Sequence, residues 1–212
     1  RDIFRPKYDT LNRVDILANN ILANYELLKK TADGKAIIPV LKSNAYGHGI
    51  KEICQILAKT DCPMVAVDSF PEAQIAYHYF PRKVLIIGEM PISAYKYTDF
   101  KRTEFCVYNS HTFQYLASTQ KKPAIHLFIN TGMNREGIQN LSAFLENNQQ
   151  FLNQVEISGI CSHLAMADHH PHPQNDEQIR RFLENLEILH TYNINPPWVH
   201  LGNSAALFFL RD

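Results

Sequence analysis

The chain has 212 residues, of which 45% are hydrophobic and 20% charged, and its 21 basic residues balance its 21 acidic ones. This composition is typical of a globular domain, and it lacks the basic stripe that nucleic acid or an anionic membrane surface would require. No apolar run approaches the roughly 20 residues of a membrane-spanning helix. We therefore expect one domain, with neither nucleic acid nor membrane among its partners.

The cysteines and histidines indicate neither disulfides nor a metal site. Cys54, Cys62, Cys106 and Cys161 form no CxxC pair and lack metal-ligand spacing. We expect buried or half-buried, reduced thiols, which favour a cytoplasmic location, as does an N-terminus without the apolar centre of a signal peptide. The segment "DHHPHP" (168–173) has no partner at ligand spacing and is interpreted as a surface loop.

The predicted elements begin with a helix over 11–30, with Val14, Leu17, Ile21 and Leu28 facing inward. Short apolar runs then alternate with helical patterns, which are clearest at 50–59 and 175–190. The runs read as strands buried on both faces, at 36–41, 64–67, 83–88, 104–108, 124–129, 155–160 and 198–201. This alternation predicts parallel pairing through right-handed crossovers.

Two α/β architectures satisfy that pattern, a doubly wound sheet and a barrel. No GxGxxG follows the first strand, which disfavours a doubly wound dinucleotide-binding domain. Seven strands spaced by about 20 to 40 residues favour a (β/α)8 TIM-type barrel. We therefore expect residues 1–212 to form one barrel domain that stops before its eighth strand.

Polar residues follow four of these strands, at the end where (β/α) barrels carry their chemistry. They are Lys42, Tyr46, His48, Asn130, Arg135, Ser162, His163, Asp168, His200, Asn203 and Ser204. Taken singly, each fits an ordinary role, such as a solvated lysine, a satisfied histidine or a helix N-cap. Together, an amine, a phenol, a guanidinium and a hydroxyl turn at one barrel face would suit an anionic carbonyl cofactor.

The chemistry of these groups suggests separate roles. Lys42 can form a Schiff base with an aldehyde once its amine is deprotonated. The turn "GNSAA" (202–206) offers N–H groups and a hydroxyl where barrels commonly bind phosphate, and Tyr46 could add a hydrogen bond. Arg135 suits a phenolate or carboxylate, and His163 could support a ring or relay protons.

Four motifs resemble those of the alanine racemase family. They are "VLKSNAYGHG" (40–49), "INTGMNREG" (129–137), "GICSHLAMAD" (159–168) and "HLGNSAA" (200–206), and the segment 5–30 is similar to that family's opening. The resemblance implies a barrel that holds pyridoxal 5'-phosphate on Lys42 and interconverts L- and D-alanine for peptidoglycan. It also implies a homodimer, the usual assembly of the family.

The resemblance further implies roles for individual residues. Lys42 would also be the base on one face of the substrate, while Tyr46, Asn203 and Ser204 would hold the phosphate. Arg135 would contact the cofactor's phenolic oxygen and the substrate carboxylate, and His163 would support the ring. The predicted catalytic residues are thus Lys42, Arg135 and His163, all three of which also bind the cofactor.

The sequence departs from the family pattern in three respects. Within these 212 residues we expect neither the family's eighth strand, with an arginine that faces the pyridine nitrogen, nor its C-terminal β-domain, with the tyrosine that serves a partner subunit as the opposite base. We therefore expect the chain alone to be inactive or weakly active. Phe128 stands where the family usually has a lysine, and Asn130 replaces an aspartate. The alternatives are a broad-specificity amino-acid racemase, a non-catalytic pyridoxal-phosphate binder, or a barrel that keeps only the fold.

Overall fold

The structure, a computed structural model, describes residues 13–210. One sheet contains six parallel strands in chain order: β1 (Met64–Val67), β2 (Lys83–Ile86), β3 (Thr103–Val107), β4 (Ala124–Phe128), β5 (Glu156–Cys161) and β6 (Trp198–His200). The main helices are Ala18–Thr31, Ile50–Leu57, Phe70–Tyr79, Ile92–Tyr95, Ser110–Ser118, Leu141–Asn147 and Pro173–Thr191, with 3₁₀ turns at Gln149–Gln154 and Ala206–Phe208. The predicted alternation of strands and helices is confirmed.

The sheet is curled into part of a barrel. Side chains of alternate strand residues point outward against the helices, as Val65, Val84 and Phe105 do. The intervening residues form a separate inner cluster, which includes Cys106 on β3 and Cys161 on β5. These two Sγ atoms lie 3.8 Å apart although β4 runs between their strands, so the sheet must curve toward that face. The TIM-type barrel prediction is thereby confirmed for the six strands.

The first predicted strand, 36–41, is the main correction to the fold. Only one residue of this run is bridged to the sheet, through the parallel pair Val40 and Ala66. Two backbone hydrogen bonds accompany it, from the Leu41 N–H to the Ala66 carbonyl (2.7 Å) and from the Ala66 N–H to the Pro39 carbonyl (2.8 Å). Pro39 has no N–H of its own to donate, which limits a longer ladder. The run nevertheless delivers Lys42 to the edge of the sheet.

The opening helix also differs from its prediction. It begins at Ala18, and the preceding residues Val14 and Leu17 are exposed instead of facing inward. Leu17 occupies the N-cap position in an extended conformation, and its side chain cannot cap the first turn. Residues 11 and 12 of the prediction lie outside the described residues.

Polar side chains inside the curled sheet form one connected network. The Glu104 carboxylate accepts hydrogen bonds from His126 Nε2 and Ser158 Oγ, both at 2.8 Å, and His126 Nδ1 lies 2.7 Å from His200 Nε2. His126 is fully buried, so this network satisfies polar groups that would otherwise be costly. All four cysteines are buried and free, as predicted. Within residues 13–210, no helix is long and apolar enough to cross a bilayer.

Candidate active site

Lys42 begins a short turn, Lys42–Tyr46, with an unusual backbone. Ser43, Asn44, Ala45 and Tyr46 all have φ between 52° and 54°, which makes the turn left-handed. A left-handed helix costs roughly 1–2 kcal/mol per residue in L-amino acids, so the surroundings must hold the turn in place. Such strain is concentrated at functional sites, and here it lies beside the half-buried Lys42.

Several contacts hold this turn. The Asn44 side chain accepts a hydrogen bond from the Ile50 N–H (3.0 Å), which ties the turn to the start of helix Ile50–Leu57. Glu72 accepts hydrogen bonds from the backbone N–H groups of Asp68 (2.8 Å) and Asn44 (3.4 Å). Gly47 and Gly49 let the backbone turn into that helix, with φ of 88° and 90°. These contacts fix the Lys42 backbone at the end of β1.

The loop after β4, which carries Arg135, is held together by hydrogen bonds between its own residues. Asn130 Oδ1 accepts hydrogen bonds from the N–H groups of Gly132 and Asn134, both at 3.0 Å. A Cβ on Gly137 would lie 2.7 Å from the Asn130 nitrogen, so only glycine fits where the loop returns. Asparagine thus supplies the acceptor oxygen that the loop requires, although the family usually has an aspartate there.

Arg135 is paired with its neighbour, Glu136. Its Nε donates to the Glu136 carboxylate at 2.8 Å, and a second guanidinium nitrogen donates to the same oxygen. Phe128, which stands in place of the family's lysine, packs on Tyr108 with the ring centroids 5.0 Å apart. Phe128, Arg135 and Glu136 line one small pocket at the end of β4. Glu136 therefore places a negative charge directly against the Arg135 guanidinium.

The pKa of His163 depends on burial and on the charged residues around it. Burial lowers the pKa of its imidazole, and the positive charges of Arg135 and Lys42 lower it further. Glu136 acts in the opposite direction. Arg135 and Lys42 therefore both lie within electrostatic reach of His163. A neutral imidazole is the expected form of His163 at pH 7.

The predicted phosphate-binding residues are less closely joined. Asn203 Oδ1 accepts a hydrogen bond from the Ala206 N–H (3.0 Å), which ties it to the first residue of the turn Ala206–Phe208. Ser204 is exposed, and the Tyr46 side chain is 61% exposed. Among residues 13–210, no hydrogen bond or ion pair links Tyr46, Asn203 or Ser204 to Lys42. Their role in binding phosphate stays a prediction.

The histidine-rich segment 168–173 is an exposed loop, as predicted. The His172 ring accepts a hydrogen bond from the Gln174 N–H (3.2 Å) and caps helix Pro173–Thr191. The His170 ring stacks on Phe209 with the centroids 3.9 Å apart. No group of three or more His, Cys, Asp or Glu side chains in the described part of the chain could hold a metal ion.

Sequence reasoning missed two residues of this region, Glu136 and Gln178. Glu136 stands next to Arg135 in "NREG", so its adjacency was a signal that could have identified it. Gln178 is 1% exposed and contacts the loops after β4 and β5. It lies four residues before the buried Phe182 and hence on the same helix face, which could have indicated that it is buried. Nothing else in the sequence distinguishes this glutamine from its polar neighbours.

The chain is similar to known proteins in sequence and in fold. The family model described as "Alanine racemase, N-terminal domain" matches residues 16–212. The chain belongs to the alanine racemase N-terminal domain family. The resemblance carried by the four motifs is confirmed at this level.

Individual relatives match the chain over most of its length. The alanine racemase of Nitratiruptor sp. is 31% identical over 193 residues, covering 88% of this chain and 54% of that protein. That of Borreliella burgdorferi is 30% identical over 201 residues, covering 89% and 52%. The chain therefore spans about half the length of these curated relatives.

Solved structures share the fold. The alanine racemase of Bartonella henselae, solved with covalently bound pyridoxal phosphate, superposes with a TM-score of 0.80 at 24% identity. The superposition covers 90% of this chain and 56% of that one. At this identity the likeness concerns the architecture, and it agrees with the curled parallel sheet described above.

Proposed function

We propose that this chain is the pyridoxal-phosphate-binding barrel portion of an alanine racemase. The observation that carries the proposal is the meeting of Lys42, Arg135 and His163 at one end of the curled sheet, where the two cations act on the imidazole. An amine and a guanidinium at this position fit a ligand that carries both an aldehyde and negative charge. Family membership and the cofactor bound to the Bartonella henselae relative support the same ligand.

Lys42 would hold the cofactor through its amine and would take or return the α-proton on one face of alanine. Pyridoxal phosphate, when bound, stabilises negative charge at the α-carbon of an amino acid attached to it. The left-handed turn orients the Lys42 backbone before any ligand arrives, which lowers the cost of positioning its amine.

The other predicted residues would bind and orient. Arg135 would pair with the cofactor's phenolic oxygen and the substrate carboxylate, with its guanidinium oriented by Glu136. His163, as a neutral imidazole, would support the ring without adding charge. Tyr46, Asn203 and Ser204 would hold the phosphate, for which Asn203 already organises the turn that follows β6.

Racemisation needs a base on each face of the substrate, and we assign only Lys42 within this chain. The family resemblance assigns the second base to a tyrosine of a partner subunit. We accordingly propose that the complete enzyme is a cytoplasmic homodimer that supplies D-alanine for peptidoglycan. The covered share of the relatives, about half, is compatible with a second portion that completes the site.

The test is exchange of the alanine α-proton with solvent deuterium in the presence of pyridoxal phosphate, followed by NMR. We expect Lys42 to support exchange for at least one enantiomer and Lys42→Ala to abolish it, while Lys51→Ala, a change on a neighbouring exposed helix position, has no effect. Cofactor binding without any exchange would instead identify a non-catalytic binder. Equal exchange of bulkier amino acids would identify a broad-specificity racemase.

A further inference from the structure

The side-chain amide of Gln178 uses all of its hydrogen-bonding groups to join two loops. Its Oε1 accepts from the Ala165 N–H (2.8 Å), and its Nε2 donates to the His163 carbonyl (2.9 Å) and to Thr131 Oγ1 (3.2 Å). The orientation of the amide is fixed, because the Ala165 N–H can only donate and the His163 carbonyl can only accept. Gln178 itself is 1% exposed on helix Pro173–Thr191.

These contacts continue into a hydrogen-bond chain with one direction. Ser162 Oγ donates to the Ile129 carbonyl (2.6 Å) and therefore accepts from Thr131 Oγ1, which lies 2.8 Å away. Thr131 in turn accepts from Gln178, so each hydroxyl has one donor and one acceptor partner. Since Thr131, Ser162 and Gln178 are all buried, breaking any link would leave a polar group without a partner.

The chain joins the two loops that carry the predicted catalytic side chains. Thr131 lies in the loop that leads to Arg135, whereas Ser162 directly precedes His163. We infer that Gln178 is a positioning residue that holds the His163 loop in register with the Arg135 loop. This inference rests on the proposed function only for its catalytic significance, because the geometry between the loops exists without a ligand.

The first test is the titration of the His163 imidazole by NMR in Gln178→Met, made in the full-length protein. Methionine keeps the volume but removes all three hydrogen bonds, and it adds no charge that could itself shift a pKa. In the wild type, burial and the charges of Arg135 and Lys42 lower the pKa of His163. We expect the variant to bring this pKa back toward the ordinary histidine value of about 6.5, because the loops separate.

Asn148→Leu is the matched control. Asn148 is also a fully buried amide with several hydrogen bonds, but its partners are Ser110, Gln114 and the Phe144 carbonyl, none of which belongs to either loop. We expect both substitutions to lower the melting temperature and only Gln178→Met to change the titration of His163. If both variants are destabilised while His163 titrates as in the wild type, Gln178 is merely structural and the inference is wrong.

Two further measurements test the inference if Gln178→Met does not fold or if the cofactor does not bind. Should Gln178→Met not fold, Thr131→Val removes one link of the chain while leaving Gln178 in place, and it should raise the His163 pKa in the same direction by a smaller amount. The rate at which pyridoxal phosphate forms a reducible adduct on Lys42 should fall about tenfold or more in Gln178→Met, as expected for misplaced supporting groups. Absence of any adduct in the wild type would refute the proposed function while the titration still decides the role of Gln178.

Discussion

At the scale of single residues, the interior of the sheet depends on one close approach. The His126 ring lies directly against Gly159, and a Cβ added at Gly159 would be 2.3 Å from His126 Nδ1. The pairing of β4 with β5 also shifts register between Ile125 and His126, next to this point. Glycine thus gives a large, fully buried imidazole the room to reach Glu104.

Gly159→Ala should therefore destabilise the protein by about 1–3 kcal/mol, as overpacking of a dense interior does. The measurement is the free energy of unfolding from urea denaturation. Gly202→Ala is the control, since its nearest neighbour would be in ordinary contact at 3.4 Å, and it should change stability by less than about 0.5 kcal/mol. An equal effect of the two substitutions would contradict this account of Gly159.

The same network predicts how stability depends on pH. Burial and the neighbouring His126 lower the pKa of His200 to about 3 in the folded protein, against about 6.5 when unfolded. Between these values the unfolded chain binds the extra proton, so the free energy of unfolding must fall as the pH decreases below about 6.5. One such proton contributes at most about 1.4 kcal/mol per pH unit.

Urea denaturation at a series of pH values from 7.5 to 4 measures this slope. His200→Gln should make the slope shallower, because the group that titrates on unfolding is gone. Glu104 works in the same direction: burial raises the pKa of its carboxyl, but His126, Ser158 and Lys83 together outweigh burial and lower it. A slope that is unchanged in His200→Gln would show that other groups are responsible.

At the scale of elements, two arginines hold the ends of helices against the strands. Arg82 directly precedes β2. It donates to the carbonyl of Leu57 (3.0 Å), the last residue of helix Ile50–Leu57, and to the carbonyls of Thr60 (2.8 Å) and Cys62, which come after that helix. Arg102 does the same at the end of helix Phe70–Tyr79, where it donates to the carbonyls of Tyr77 (2.9 Å) and Phe80. A cation at a helix C-terminus satisfies carbonyls that lack partners within the helix.

Arg82→Lys keeps the charge but replaces a planar fork that reaches three carbonyls with a single ammonium. We expect it to lower the free energy of unfolding by about 1–3 kcal/mol, the usual range for hydrogen bonds to charged groups. Arg180→Lys, an exposed position paired with Glu177 and Glu184, should cost less than about 0.5 kcal/mol. A comparable loss at both positions, measured by thermal unfolding, would mean that the fork of Arg82 is unimportant.

The sequence predicted these elements unevenly, for physical reasons. Helix Ile50–Leu57 was predicted well because Ile50, Ile53, Ile56 and Leu57 fall on one face and are all buried. By contrast, the run 36–41 has the apolar residues of a strand but forms a single bridge. The left-handed turn at Lys42 could not be predicted, because Ser43, Ala45 and Tyr46 are residue types that rarely adopt a positive φ.

At the scale of the whole molecule, parallel strand order explains why the sequence predicts a candidate site at one end of the sheet. Strand ends meet at one edge of such a sheet, so Lys42, Arg135 and His163 converge although they lie far apart in the sequence. The supporting residues could not be predicted from the sequence, since Gln178 contacts the two loops from the second turn of a helix that is distant from Thr131 in sequence. A contact between polar side chains that are distant in sequence leaves no pattern in the local sequence from which it could be predicted.

The proposed cofactor chemistry depends on Lys42, and borohydride reduction in the presence of pyridoxal phosphate, followed by peptide mass mapping, tests it most directly. We predict a reduced adduct on the peptide that contains Lys42 and its loss in Lys42→Ala, with Lys51→Ala labelled as in the wild type. Modification scattered over exposed lysines, or none at all, would contradict the assignment and leave a curled barrel that has the family's fold and motifs without its cofactor chemistry.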